Sequence, residues 1–259
     1  MEHKEQNLRN LLNKIAAEQG FANHELIIND ISSGGANYTS QLYTAIIREQ
    51  NKDDLHLFAK VAILPAKLTK QMDISVFATE QLAYTNIFKT FAAFEAENDV
   101  PEEYRLKITK YYGYYDGENE EILVLDNLLA QGYSPFDRFQ SIDWEYASSA
   151  VRDLARFHAL SLGYSEVYPE EFQKIVAKIF MDLSGVDFDS VFGATIKTAL
   201  KTVQPKYKKS LENILNTYLD NNFTLVKPAS FRPVIVHGDF RGSNLLHRVH
   251  PATMQLANL

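Results

Sequence analysis

One change of pattern constrains this chain more than any other feature: up to Leu128 it is built from short apolar runs separated by turn residues, and beyond that point helical spacing takes over. Strands gathered in one half and helices in the other predict an α+β fold in which the two kinds of structure are segregated. Strands are expected near residues 25–31, 40–47, 55–63, 110–115 and 121–125, with turn signals such as Asp116-Gly117 between them. Leu8, Leu11, Leu12, Ile15 and Ala16 recur at helical spacing over 4–18, and a second helix is expected over 74–88. Asp143 opens a longer helix through Ser161, and amphipathic segments follow over 171–183, 191–203 and 207–219. His158, on the long helix, reads as a buried, hydrogen-bonded histidine and not as a ligand.

Composition narrows the chemistry. With 259 residues, 46% of them apolar, the chain can bury a core large enough for one large domain or two lobes. A formal charge of -7 argues against a nucleic-acid partner held by broad phosphate neutralisation. The absence of cysteine removes disulfides, thiolate metal sites and cysteine nucleophiles. No secretory signal is read at the N-terminus and no apolar run is long enough to span a bilayer, so a cytoplasmic protein is expected. Oligomeric state is not encoded in any pattern we can read.

The chemistry concentrates in four places. The apolar run Val234-Ile235-Val236 leads into His237-Gly238-Asp239, and Asn244 follows five residues after the aspartate. A buried strand would here deliver a carboxylate into a loop that returns an amide oxygen to the same side. That is the H-x-D-x-x-x-x-N order of a kinase catalytic loop, although a plain turn with Asn as a cap residue has the same composition. Lys60 is embedded in the third strand, where a lone lysine can equally snorkel to solvent, and Glu80 lies on the helix after it. Ser32-Ser33-Gly34-Gly35-Ala36-Asn37-Tyr38 forms a glycine-containing turn between the first two strands, either a hairpin turn or a loop whose backbone amides can approach phosphate. The strand 121–125 ends at Asp126-Asn127, either a simple strand end or a hinge whose backbone could bond adenine.

In this order these segments resemble the ecdysteroid kinase-like family of the choline kinase and aminoglycoside phosphotransferase superfamily. The likeness rests on Gly35-Ala36-Asn37-Tyr38, Phe58-Ala59-Lys60-Val61, Leu123-Val124-Leu125-Asp126-Asn127-Leu128, Leu154-Ala155-Arg156-Phe157-His158-Ala159-Leu160-Ser161 and the His-Gly-Asp stretch. It implies a two-lobed, protein-kinase-like fold, with a nucleotide-binding lobe over 1–128 and a helical lobe over 129–259. It further implies ATP and Mg2+ as cofactors and a hydroxyl of a small molecule, an ecdysteroid-like sterol or another hydroxylated metabolite or xenobiotic, as acceptor. Gly34, Gly35, Asn37, Lys60, Glu80, Asp126 and Asn127 would bind the nucleotide, Asp239 would be the catalytic base and Asn244 a magnesium ligand. The family's second metal ligand, an aspartate after the catalytic loop, has no counterpart: no Asp or Glu follows Asp239. The resemblance therefore leads us to expect a C-terminal lobe cut short after the catalytic loop. The alternative expectation is an inactive, nucleotide-binding or interaction-only pseudokinase.

Overall fold

The computed structural model describes residues 2–32, 40–63, 76–117, 120–137, 139–179, 188–220, 232–249 and 256–258. Its first half is a five-stranded antiparallel sheet of β1 (Glu25–Ile31), β2 (Ser40–Arg48), β3 (Leu55–Ala62), β4 (Tyr111–Tyr115) and β5 (Ile122–Asp126), in the order β1-β2-β3-β5-β4. Helix α1 (Glu2–Glu18) lies on one face of it. Strand alternation decides what α1 meets. Leu57, Ala59 and Val61 of β3, with Ile122 and Val124 of β5, join Leu8, Leu11, Leu12, Ile15 and Ala16 in one buried cluster. The approach is close at Gly113 of β4, where a Cβ would stand 3.2 Å from Ile15 Cδ1, and the register of β4 against β5 shifts beside it.

The alternate residues point the other way. Ala62, Leu123 and Leu125 pack with Phe77, and Tyr84, Tyr111 and Tyr114 close around them. Phe77 and Tyr84 belong to a helical stretch that begins with α2 (Val76–Leu82), widens into a π-helical turn (Ala83–Ile87) and continues as α3 (Phe88–Glu97). The expected helix over 74–88 thus runs nine residues further, to Glu97, with its first two positions outside the described residues. The wide turn coincides with a change of partner. Before it Phe77 faces the sheet; Ile87, its last residue, and Phe91 beyond it pack with Phe172, Ile175 and Ile235 of the second half.

That second half is mainly helical: α4 (Trp144–Val167), α5 (Pro169–Ile179), α6 (Phe188–Thr202) and α7 (Pro205–Asp220). Asp143 caps α4 by accepting the Tyr146 N–H at 2.8 Å, as its position before the apolar stripe predicts. A small sheet unforeseen in the sequence, β6 (Ser134–Pro135), β7 (Leu246–Val249) and β8 (Leu256–Asn258), completes this part. The architecture is α+β, an antiparallel-sheet lobe followed by a helical part. No helix among the described residues is long and apolar enough to cross a membrane.

One expected strand is absent. Val234-Ile235-Val236 joins no strand ladder, and only Ile235 is buried, at 6% exposure, while Val236 is 62% exposed. The run is held from the side by a helix instead: the Ile235 N–H donates to Ser161 Oγ of α4 at 2.7 Å, and the Ser161 side chain is fully buried. Its apolar composition reflects the single core contact of Ile235.

Candidate active site

Lys60 sits on the sheet face opposite α1, and the following helix brings Glu80 to it. Their Nζ and Oε1 atoms are 2.6 Å apart, with the two side chains 31% and 29% exposed. Two strands with strict alternation place the ammonium, and the helix packed beneath the sheet places the carboxylate. The wall behind the pair is aromatic. Tyr84 stacks on Tyr111 with ring centroids 6.0 Å apart and meets Phe88 edge-on at 5.3 Å. Burial pushes the Tyr84 phenol well above its ordinary range and the Glu80 carboxylate adds to that rise. Burial also raises Tyr111, with a hydrogen bond from Gln81 pulling the other way. Both rings are therefore neutral around pH 7 beside the Lys60–Glu80 pair.

The loop carrying Asp239 is shaped by short-range bonds. Gly238 has φ +82°, in the left-handed region, and a Cβ there would meet nothing within 4 Å, so glycine is required by the backbone turn and not by crowding. The Asp239 N–H reaches His237 Nδ1 at 3.2 Å. Residues Gly242–Asn244 form a 3-10 turn that carries Asn244 back, where its Nδ2 donates to Asp239 O at 2.9 Å and Asp239 Oδ2 at 2.7 Å. The loop then runs into β7, whose His247 and Leu246 pair with Ser134 and Pro135.

Of the residues singled out in the sequence, the fold brings together Lys60 with Glu80 and Asp239 with Asn244. Gly34, Gly35 and Asn37 lie outside the described residues. Asp126 and Asn127 stand at the end of β5, next to β3, but their groups are engaged by the chain itself. The Asp126 N–H donates to Lys110 O and the Asn127 N–H to His56 O. Asp126 Oδ2 accepts from Gln131 at 2.7 Å, while the buried Asn127 side chain caps the following 3-10 turn by accepting the Leu129 N–H. His158 departs from expectation: its Nε2 is buried without a hydrogen-bond partner among the described residues.

Two residues escaped the sequence reading. Arg241, two positions after Asp239, places Nε 3.1 Å from the Asp239 carboxylate; the charge itself, inside the motif, was the available signal. Ser161 had no such signal, because a serine in an amphipathic helix reads as a neutral position.

The oxygen donors at Asp239 and Asn244 are hard ligands of the kind Mg2+ takes, and the Asn244 amide nitrogen, turned onto Asp239, leaves its Oδ1 for a cation. Among the described residues no three His, Asp or Glu side chains converge as a metal cluster. The Asn244 oxygen fits one place in a magnesium shell, which water commonly completes.

A family model described as the ecdysteroid kinase-like family matches residues 34–258. No curated protein matches the chain. A solved structure of an aminoglycoside-3'-phosphotransferase of type VIII aligns over 100% of this chain and 76% of its own length, at 18% identity and a TM-score of 0.38.

Proposed function

The chain belongs to the ecdysteroid kinase-like family, and on that premise we propose that it is an ATP-dependent O-phosphotransferase acting on a hydroxyl of a small molecule. The observation that carries this reading is the 2.6 Å Lys60–Glu80 pair on the inner sheet face. A lysine held by a helix carboxylate in this way is pre-aimed at the α and β phosphates of a nucleotide. In the reaction Asp239 accepts the proton of the acceptor hydroxyl. The hydroxyl oxygen then bonds to the γ-phosphorus as the bond to the β,γ-bridging oxygen breaks, and ADP leaves with that electron pair. A magnesium ion, held in part by Asn244, would neutralise phosphate charge. Positioning and charge neutralisation carry most of such a catalysis, because the protein forms no covalent intermediate. The acceptor class is an ecdysteroid-like sterol or another hydroxylated metabolite or xenobiotic.

A second reading is nucleotide binding without turnover. One experiment separates the readings. Calorimetry with ATP and Mg2+ on the full chain is expected to show binding that Lys60→Ala weakens by roughly ten-fold or more, the scale of one charged hydrogen bond. Equal affinity in the two proteins removes Lys60 from the site. The ion pair is nearly one-third exposed, so its loss costs about 1 kcal/mol or less and the variant stays folded. ATP binding with no phosphate transferred to an ecdysteroid or other hydroxylated acceptor favours the second reading.

A further inference from the structure

Arg241 is the one charged side chain hydrogen-bonded to the carboxylate of Asp239 among the described residues, and nothing in the reaction as set out above uses it. We propose that Arg241 is a further catalytic residue, whose guanidinium binds the terminal phosphoryl group of ATP during transfer. This rests on the phosphotransferase reading of the same site.

The geometry argues for it in three steps. Arg241 Nε lies 3.1 Å from the carboxylate that is to receive the acceptor's proton. A base takes a proton across about 2.6–3.2 Å, and the attacking oxygen stands about 3–3.5 Å from the phosphorus, so the phosphoryl oxygens must come within reach of a guanidinium seated on that same carboxylate. The contact to Asp239 is made through Nε, which leaves the two Nη groups, a fork suited to phosphate, to face elsewhere. The Arg241 side chain is 44% exposed and that of Asp239 61%, so both open to solvent and not into the core.

The charge pattern points the same way. A transferring phosphoryl group spreads negative charge over its oxygens beside an already anionic base, and that base needs compensation from a neighbouring cation. Asn244, on the other side of Asp239, is neutral, and residues 240–249 add Arg241 and Arg248 but no carboxylate. Arg241 is thus placed to hold Asp239 before nucleotide enters and to share its remaining donors with the γ-phosphate afterwards. ADP lacks the group Arg241 would bind, and that difference makes the idea testable without knowing the acceptor.

The experiment measures affinities for ATP and for ADP, both with Mg2+, on the full chain, on Arg241→Gln, on Arg241→Lys and on Arg241→Gln in an Asp239→Asn background. The expected result is a roughly ten-fold loss of ATP affinity in Arg241→Gln with ADP affinity changed less than about two-fold, partial recovery in Arg241→Lys, and the same loss of ATP preference in the double variant. An unchanged ATP to ADP ratio in Arg241→Gln overturns the proposal. Equal weakening of both nucleotides also overturns it, assigning Arg241 to the shape of the loop. Restoration of ATP preference in the double variant overturns it too, because the single loss then came from the uncovered charge of Asp239. If the unaltered chain binds neither nucleotide, the phosphotransferase reading falls and takes this one with it; if it binds ATP normally and only the Arg241 results fail, the wider reading stands.

Discussion

Ser161 holds the stretch before Asp239 by a single buried hydrogen bond, and its hydroxyl receives the Ile235 N–H where no water reaches. Removing the acceptor strands a buried amide, which costs about 1–3 kcal/mol. Ser161→Ala is therefore expected to lower stability by that amount in a urea titration, while Ser161→Thr, which keeps the oxygen, recovers part of it. A change below about 0.5 kcal/mol in the alanine variant would show that the bond contributes little. The contrast with Lys60 is instructive at this scale: an ion pair nearly one-third exposed adds little to stability, whereas a neutral serine in the core acts on stability first. That Lys60 would meet Glu80, and Asp239 Asn244, was legible in the sequence from their kinase-like order, a lysine inside a strand before a helix carboxylate and an aspartate five residues before an asparagine after an apolar run. Ser161 and the Arg241 contact were not, since their meaning comes from what tertiary packing places opposite them.

At the scale of elements, the helix carrying Glu80 is divided between two bodies. Its first turns pack on the sheet, and past the π-helical turn Phe91 and Phe94 form a seam with α4, Phe91 lying 5.8 Å from Phe157 and Phe94 5.6 Å from Tyr164. A π turn takes in one residue more than an α turn and so rotates the apolar stripe that follows it. Phe91 is 1% exposed, and Phe91→Ala is expected to cost about 3–5 kcal/mol, against under about 0.5 kcal/mol for Phe139→Ala, whose ring is 85% exposed. Comparable losses for the two in thermal or denaturant unfolding would contradict the seam. The period of 3.6 carried the reading of α1 faithfully, because its apolar stripe faces one partner throughout, whereas α4 runs six residues past the expected Ser161, to Val167. Pattern reading lost the helix after residue 88, where the partner changes, and it took Val234-Ile235-Val236 for a strand because apolar β-branched residues at a helix-packed segment look the same as those in a ladder.

For the whole molecule, the buried tyrosines set an alkaline limit. Burial raises the folded-state pKa of Tyr84 and, on α4, of Tyr146 above the unfolded value of about 10. A raised folded pKa means that this contribution is complete below the unfolded value and is lost as pH rises beyond it. Stability is expected to fall as pH rises beyond about 10, and to fall less steeply in Tyr84→Phe, as read from denaturation midpoints on either side of that value. Parallel slopes in the two proteins would rule Tyr84 out as a source. The alternation that divides the sheet into two apolar faces also bears on how it is assembled. Lys60 pairs with Leu42 and Leu123 in a register that keeps Leu57, Ala59 and Val61 beneath α1. A slip of β3 by one position would turn the ammonium into the layer occupied by Leu8 and Leu12, where a charge has no partner. The lysine proposed for phosphate thus also disfavours the slipped pairing: a sheet misregistered in this way would bury it beneath the helix.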